Sequence, residues 1–392
     1  MKKLGYLMGA ALLTLGSCTN EINEEGFVDK ANTISFNAYP NKTRAVEGDV
    51  TNDNIKNDHF GVVGYKSNNS IYLYKGTNSA VEQEWQTSGE SGSWEYSNMG
   101  DLKFWPSGSM DFYAYFPYSD NATFAESDAS GDVMTIPNVN CSHDVLFAKH
   151  TTSYTDRVPL TFYHAFSRIK KVEVSIEDGV NKGYVKDAGV SVEIQKVEFI
   201  NTSTSGTVKV DNSGVASYTV ASPNVTLSKD LSSPVVTVNS THLTGTLIDN
   251  PTSGGYLFAT TSNSTQNNNV KGTGKTMWNG TTTSWAEGTT LENLGQVCLK
   301  LTCKVWNGTD SKKYYYVGGD DDDYGVMYIP LTGTSADPSN VSTFEAGKRY
   351  TYNIVFKDNV GFRDNGVPVL RPILFSVNSV DAWGDVEVTI TL

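Results

Sequence analysis

Thr33-Ile34-Ser35-Phe36-Asn37-Ala38-Tyr39 alternates polar and apolar residues until Pro40-Asn41 stops it. Successive side chains of an extended chain point to opposite faces. Ile34, Phe36 and Ala38 therefore share one face, and the stretch reads as a half-buried strand. The same two-residue period recurs outward along the chain. Phe60 to Tyr65 and Ile71 to Tyr74 are the next strands, followed by the aromatic-rich pair Lys103-Phe104-Trp105-Pro106 and Met110 to Tyr118, the latter ended by Pro117. Val145 to Ala148 and Val158 to Phe162 follow. Ile169, Val172, Val174 and Ile176 then open a longer strand-rich half that continues through Val192 to Ile200. Gly and Asn punctuate these runs, and no helical period persists beyond a short helix. Strands at this spacing predict an all-β chain built of β-sandwiches. The polar stretches Thr260 to Thr290 and Thr309 to Gly325 read as long surface loops.

Composition supports that class. The 392 residues suit two domains or one large β domain, and 38% hydrophobic residues can fill a core. The 35 glycines and 21 tyrosines favour strands and turns. The change of register near His164 sets a boundary near Phe166, giving units 31–165 and 166–392. A formal charge of −13 excludes a nucleic-acid partner, which requires a basic footprint.

The N-terminus carries an address. Lys2 and Lys3 precede an apolar run from Leu4 to Leu15, then Leu15-Gly16-Ser17-Cys18. The run is too short to span a bilayer and reads as a cleaved signal peptide over 1–17. The four residues resemble a bacterial lipobox, which implies that Cys18 becomes the acylated first residue. Each buried acyl methylene contributes about 0.8 kcal/mol, so durable anchoring needs several chains. Glu21, Glu24 and Glu25 resemble the signal that exports Bacteroidetes lipoproteins to the outer face of the outer membrane, and residues 18–30 form a linker.

Three cysteines remain, Cys141, Cys298 and Cys303, and they cannot all pair within one chain. Cys298 and Cys303 lie in one strand-like run, Val297 to Val305, on opposite faces. They read as small buried hydrophobes with free thiols, while a bridge from Cys141 to either one cannot be decided by spacing.

No catalytic or metal constellation is legible. His59, His143, His150, His164 and His242 show no metal-binding spacing, and His164, between Phe162 and Phe166, reads as a packed core histidine. There is no G-x-S-x-G elbow. Gly274-Lys275-Thr276 lacks the first glycine of a phosphate loop, because Asn269 stands there. Asp320 to Asp323 lack the alternation of a calcium loop and read as a solvated turn. The expectation is a chain that is no enzyme and takes no cofactor or metal.

Several segments, in order after the lipobox, resemble the fimbrillin family, the type V pilins of Bacteroidetes. They are Ile34-Ser35-Phe36 with Thr43-Arg44-Ala45, Phe112 to Tyr118, Asp144 to Ala148, Val158 to Ile169, Phe344 to Tyr352, and Trp383. The resemblance implies two tandem β-sandwich domains of transthyretin-like or immunoglobulin-like form. It also implies export as a lipoprotein, cleavage by an arginine-specific protease behind the first strand, and replacement of that strand by a neighbouring subunit's donor strand. Arg44 and Ala45 match the cleavage position, which makes Ile34, Phe36 and Ala38 the displaced strand. Other fimbrial subunits are the implied partners.

The tail suits a donor. In Asp385 to Leu392, Val386, Val388, Ile390 and Leu392 face one way, and a one-residue slip would bury the charges. Burying four such side chains contributes about 6–12 kcal/mol before ordering costs. Main-chain pairing adds to that, so 384–392 is the donor-strand candidate. It reads equally as the last strand of its own sandwich. The alternative function is a non-polymerising surface lipoprotein that binds glycan or host ligand through Trp85, Trp94, Trp278, Trp285 and Tyr314-Tyr315-Tyr316.

Overall fold

The computed structural model describes residues 33–40, 50, 54–88, 91–128, 131–140, 143–176, 190–202, 205–220, 225–231, 235–239, 244–249, 256–258, 298–309, 312–317, 320, 322–330, 344–356, 361–362, 368–369, 374–380 and 384–391. Among them the only helical pieces are short 3-10 turns at Asn54–Asn57 and Met99–Asp101. The chain is nearly all β.

The first half contributes β1 (Phe36–Pro40), β2 (Phe60–Lys66), β3 (Ile71–Leu73), β4 (Val81–Ser88), β5 (Ser91–Tyr96), β6 (Met110–Phe116), β7 (Thr123–Phe124), β8 (Asp132–Asn140), β9 (Leu146–Thr152) and β10 (Val158–His164). An eight-stranded sheet runs in the order β3-β2-β4-β5-β1-β10-β9-β6, and β2 pairs with β6 as well, so the sheet closes on itself. Inside lie Ile34, Phe36, Phe60, Val62, Trp94, Phe112, Ala114, Leu146, Leu160 and Phe162. β6 shows why its sequence loses alternation: Phe112-Tyr113-Ala114-Tyr115-Phe116 is buried throughout. Phe112 and Ala114 face the closed interior, whereas Tyr113 and Tyr115 join a second core outside it. A strand covered on both faces reads as a continuous apolar run.

The second half contributes β11 (Phe166–Ile176), β12 (Val190–Thr202), β13 (Ser205–Asp211), β14 (Ala216–Val220), β15 (Val225–Asp230), β16 (Val236–Val238), β17 (Thr244–Asp249), β18 (Tyr256–Phe258), β19 (Cys298–Thr309), β20 (Lys312–Val317), β21 (Gly325–Pro330), β22 (Lys348–Phe356), β23 (Gly361–Phe362), β24 (Pro368–Val369), β25 (Leu374–Val380) and β26 (Gly384–Thr391). One six-stranded sheet is ordered β17-β11-β22-β26-β25, with β18 on β11. Another is ordered β15-β12-β19-β20, with β16 on β12 and β21 on β19. Their inner residues form one core that includes Val172, Val174, Val192, Ile194, Leu299, Leu301, Tyr352 and Ile354. This is face-to-face sheet packing.

The β13-β14 hairpin belongs to neither of those sheets. It joins β8 and β7 in a four-stranded sheet. There Val208, Val210 and Tyr218 bury against Tyr65, Tyr113 and Phe166 in the second core. Tyr113 Oη donates to Asn212 O at 3.2 Å, Lys149 Nζ donates to the same oxygen, and Asn212 Nδ2 donates to Asp128 O at 3.4 Å. Where β10 passes into β11, Gly347 N–H donates to Phe166 O at 2.9 Å. Gly347 sits at φ +71, a left-handed conformation that favours glycine.

The stretch from Thr309 to Gly325 departs from its reading as a plain loop. Lys312–Val317 forms β20, whose Tyr314 and Tyr315 pair with Asn307 and Trp306 of β19. Consecutive tyrosines favour a strand where a partner edge is close, and β19 supplies one.

Candidate functional site

The seat of β1 is the most distinctive feature of the first half. Its alternation comes out as the sequence requires, with Ile34 and Phe36 fully buried and Ala38 nearly so. Tyr39 points outward and is half exposed. β1 runs parallel to β10, from Phe36 opposite Val158 to Pro40 opposite Phe162. On its other side it meets β5 at a single pair, Phe36 opposite Trp94. The main-chain hold is therefore one-sided.

Side chains complete it. The Phe36 ring lies 5.6 Å from Phe112, 6.2 Å from Phe60 and 6.5 Å from Tyr96, edge-on or tilted to each. Such aromatic pairs add to simple area burial. Tyr96 Oη donates to Ile34 O at 2.8 Å within the core, and Ser35 Oγ donates to Asp156 O at 2.6 Å. Arg157, just before β10, crosses the strand. Its Nη1 donates to Phe36 O at 3.4 Å, and Nη2 lies 3.8 Å from Glu95 Oε1 on β5. Arg157 thus ties both walls of the groove to its occupant. Sequence reading missed Tyr96, Trp94 and Arg157, because their roles depend on β5 and β10 flanking β1.

The connection after β1 begins and ends at one end of the closed sheet. Pro40 lies opposite Phe162, and chain description resumes at Val50, whose N–H donates to Asp144 Oδ2 at 3.3 Å. The same carboxylate oxygen lies 2.7 Å from His164 Nδ1, and both side chains are buried. His164 is therefore a packed histidine with a carboxylate partner. Arg44 and Ala45 fall within this connection and outside the described residues, as do Cys18, Cys141, Asp321, Trp278, Trp285 and Leu392.

The tail strand β26 lies within its own sheet. Lys348 to Val355 of β22 pair with Gly384 to Thr391 in parallel, and Leu374 to Val380 of β25 pair with Thr391 to Asp385 in antiparallel register. Val386, Val388 and Ile390 thus lie on a strand bonded along both edges, and β25 forms the edge of that sheet.

The remaining candidates are structural. Trp94 is buried to 1% exposure and stacks edge-on with Phe60 and Trp85, so its ring is closed to an external sugar. Trp85 is covered by Gly92, where a Cβ would come within 2.5 Å of the ring, and by Lys56 Nζ at 4.8 Å. Asp320 Oδ1 accepts the backbone N–H groups of Asp322 and Asp323 at 2.9 and 3.0 Å, closing an acidic turn. Cys303 is free and buried, and burial pushes its thiol up to about 12. Among the described residues no group of three or more His, Cys, Asp or Glu side chains is placed to hold a metal, and no helix is long and apolar enough to cross a membrane.

No curated protein matches the chain. Among solved structures it is similar to a fimbrial protein from Bacteroides vulgatus, at 15% identity over 86% of this chain and 97% of that one, with a TM-score of 0.47. It is also similar to a fimbrial assembly protein from Parabacteroides distasonis, at 10% identity over 91% and 94%, with a TM-score of 0.32. A family model described as fimbrillin-like matches residues 43–367. With that match spanning most of its length, the chain belongs to the fimbrillin-like family.

Proposed function

We propose that this chain is a structural and adhesive subunit of a cell-surface fimbria, exported as a lipoprotein and assembled by exchange of its first strand. In this reading Cys18 carries the lipid that holds the precursor at the outer membrane. An arginine-specific protease cuts between Arg44 and Ala45, β1 leaves with Ile34, Phe36 and Ala38, and the C-terminal region of another subunit supplies a replacement. The donor is sought in the strands that end at Val386, Val388, Ile390 and Leu392. The chain divides near residue 165 into an accepting unit and a donating unit, with the β13-β14 hairpin reaching back across the division.

The observation that carries the reading is the seat of β1. A strand held by one short ladder and a bed of side chains can be replaced by another of similar shape, with hydrophobic burial as the driving force. The position of Arg44, in the connection between Pro40 and Val50, supports it further, because a cut there frees β1 while Val50 stays held by Asp144.

The test is conversion by protease. Limited digestion with an arginine-specific protease should turn purified monomer into a ladder of oligomers that resists mild detergent, with mature chains starting at Ala45. Arg44→Ala should remain monomeric. A ladder of equal intensity from the variant, or fibres that still contain residues 33–40, would overturn the proposal.

A further inference from the structure

We infer that the strand a neighbouring copy places in the vacated groove is β25, seating Phe375 in the bed of Phe36 and Val377 in the place of Ala38. The inference rests on the strand exchange proposed above and names its occupant.

The groove sorts side chains by size. Its central position is an aromatic bed, since Phe112, Phe60 and Tyr96 surround the Phe36 ring within 6.5 Å. The next inward position holds a buried alanine, Ala38. An occupant must therefore present an aromatic residue and, two residues on, a small one. β26 offers Val386, Val388, Ile390 and Leu392 at alternate positions. In every register of that set an aliphatic side chain falls in the aromatic bed and leaves it underfilled. With Val388 at the Phe36 position, Ile390 would also crowd the alanine site. β25 reads Leu374-Phe375-Ser376-Val377, and Ile373 precedes it. Ile-x-Phe-x-Val aligns with Ile34-x-Phe36-x-Ala38, identical at two inward positions and two carbons larger at the third.

The sheet order points the same way. β26 is bonded to β22 along one edge and to β25 along the other, so removing it breaks two ladders. β25 is the edge strand of the described sheet and is bonded to β26 alone. Edge strands are the natural templates for pairing with another chain. Detaching β25 costs one ladder, and the vacated groove returns one along β10. The connections 357–373 and 381–383 then bridge the two subunits.

Paired cysteines test the register. In the alignment Asn378 takes the position of Tyr39, opposite the exposed Thr161 of β10. Fibres mixed from Thr161→Cys chains and Asn378→Cys chains, processed by the protease and gently oxidised, should give crosslinked dimers, and neither variant alone should. The parallel mixture with Thr391→Cys tests β26, because Thr391 reaches the same position when Val388 fills the Phe36 site. Crosslinking with Thr391→Cys instead overturns the assignment to β25 and leaves strand exchange intact. Fibres that form but crosslink with neither partner also overturn it. Failure of the unsubstituted chain to form fibres after cleavage overturns the exchange reading itself.

Discussion

β1 and β26 are both seated parallel to a neighbouring strand, β10 and β22 respectively, yet they are secured by different means. β1 has a five-residue ladder on one side and a single residue pair on the other, and its grip comes from Phe36 among aromatic rings and from Arg157 and Tyr96 reaching its backbone. β26 has long ladders on both sides. The cores differ as well. Around β1 the interior is rich in Phe, Trp and Tyr, whereas the second half packs mainly Val, Ile and Leu between its two sheets. A seat made by shaped side chains discriminates among occupants. A seat made by hydrogen bonds accepts almost any extended backbone. That difference makes the first half the selective partner in an exchange.

The largest effect should come from emptying each core in turn. Phe36→Ala should cost about 3–5 kcal/mol and Leu301→Ala about 2–5 kcal/mol, read from chemical denaturation. The two should part company in limited proteolysis. Phe36→Ala is expected to expose β1 selectively while the second half stays protected. Loss of protection in both halves together would break the comparison and make β1 a support of the whole chain.

A smaller change should sharpen it. Tyr96→Phe removes the donor to Ile34 O inside the core and leaves that carbonyl without the bond. The expected cost is about 1–3 kcal/mol, with faster release of β1 after cleavage at Arg44. An unchanged release rate would show that the aromatic bed alone holds the strand.

The smallest effect concerns the joint with the β13-β14 hairpin. Burial, and then the neighbouring charge of Asp111, holds the Asp128 carboxyl above the usual carboxylate range. An acid raised in the folded state favours its neutral form there. Its contribution is therefore most favourable below the unfolded value of about 3.9 and is lost as pH rises through the raised folded value. Asp128→Asn stays neutral and should melt higher than the unsubstituted chain at pH 7, with the difference shrinking below about pH 4. A variant that melts lower at pH 7 would mean that the charge is needed beside Lys149 and Asn212.

The strands with one wet face were legible before any coordinates. Ile34-x-Phe36-x-Ala38 and Val158-x-Leu160-x-Phe162 alternate because one side of each meets water. β4 was hard to read because Gln83 is fully buried while Trp85 is only half buried, so polarity does not track facing there. β20 was hidden in a polar stretch whose strand state depends on β19 as a partner. The return of β13 and β14 to β8, the closure of β2 on β6 and the reach of Arg157 across β1 are tertiary facts with no local signature. The site was half legible. The occupant declared itself through alternation, and the groove that receives it did not.

The β2–β6 pairing carries a further consequence. Because that seam joins the two ends of the strand path, withdrawing β1 leaves β5, β4, β2, β6, β9 and β10 as one uninterrupted array. The departure unzips a cylinder along a single line and scatters no fragments. Its facing lips are already built to the width of one polypeptide, so a newcomer meets a slot whose shape outlives its tenant.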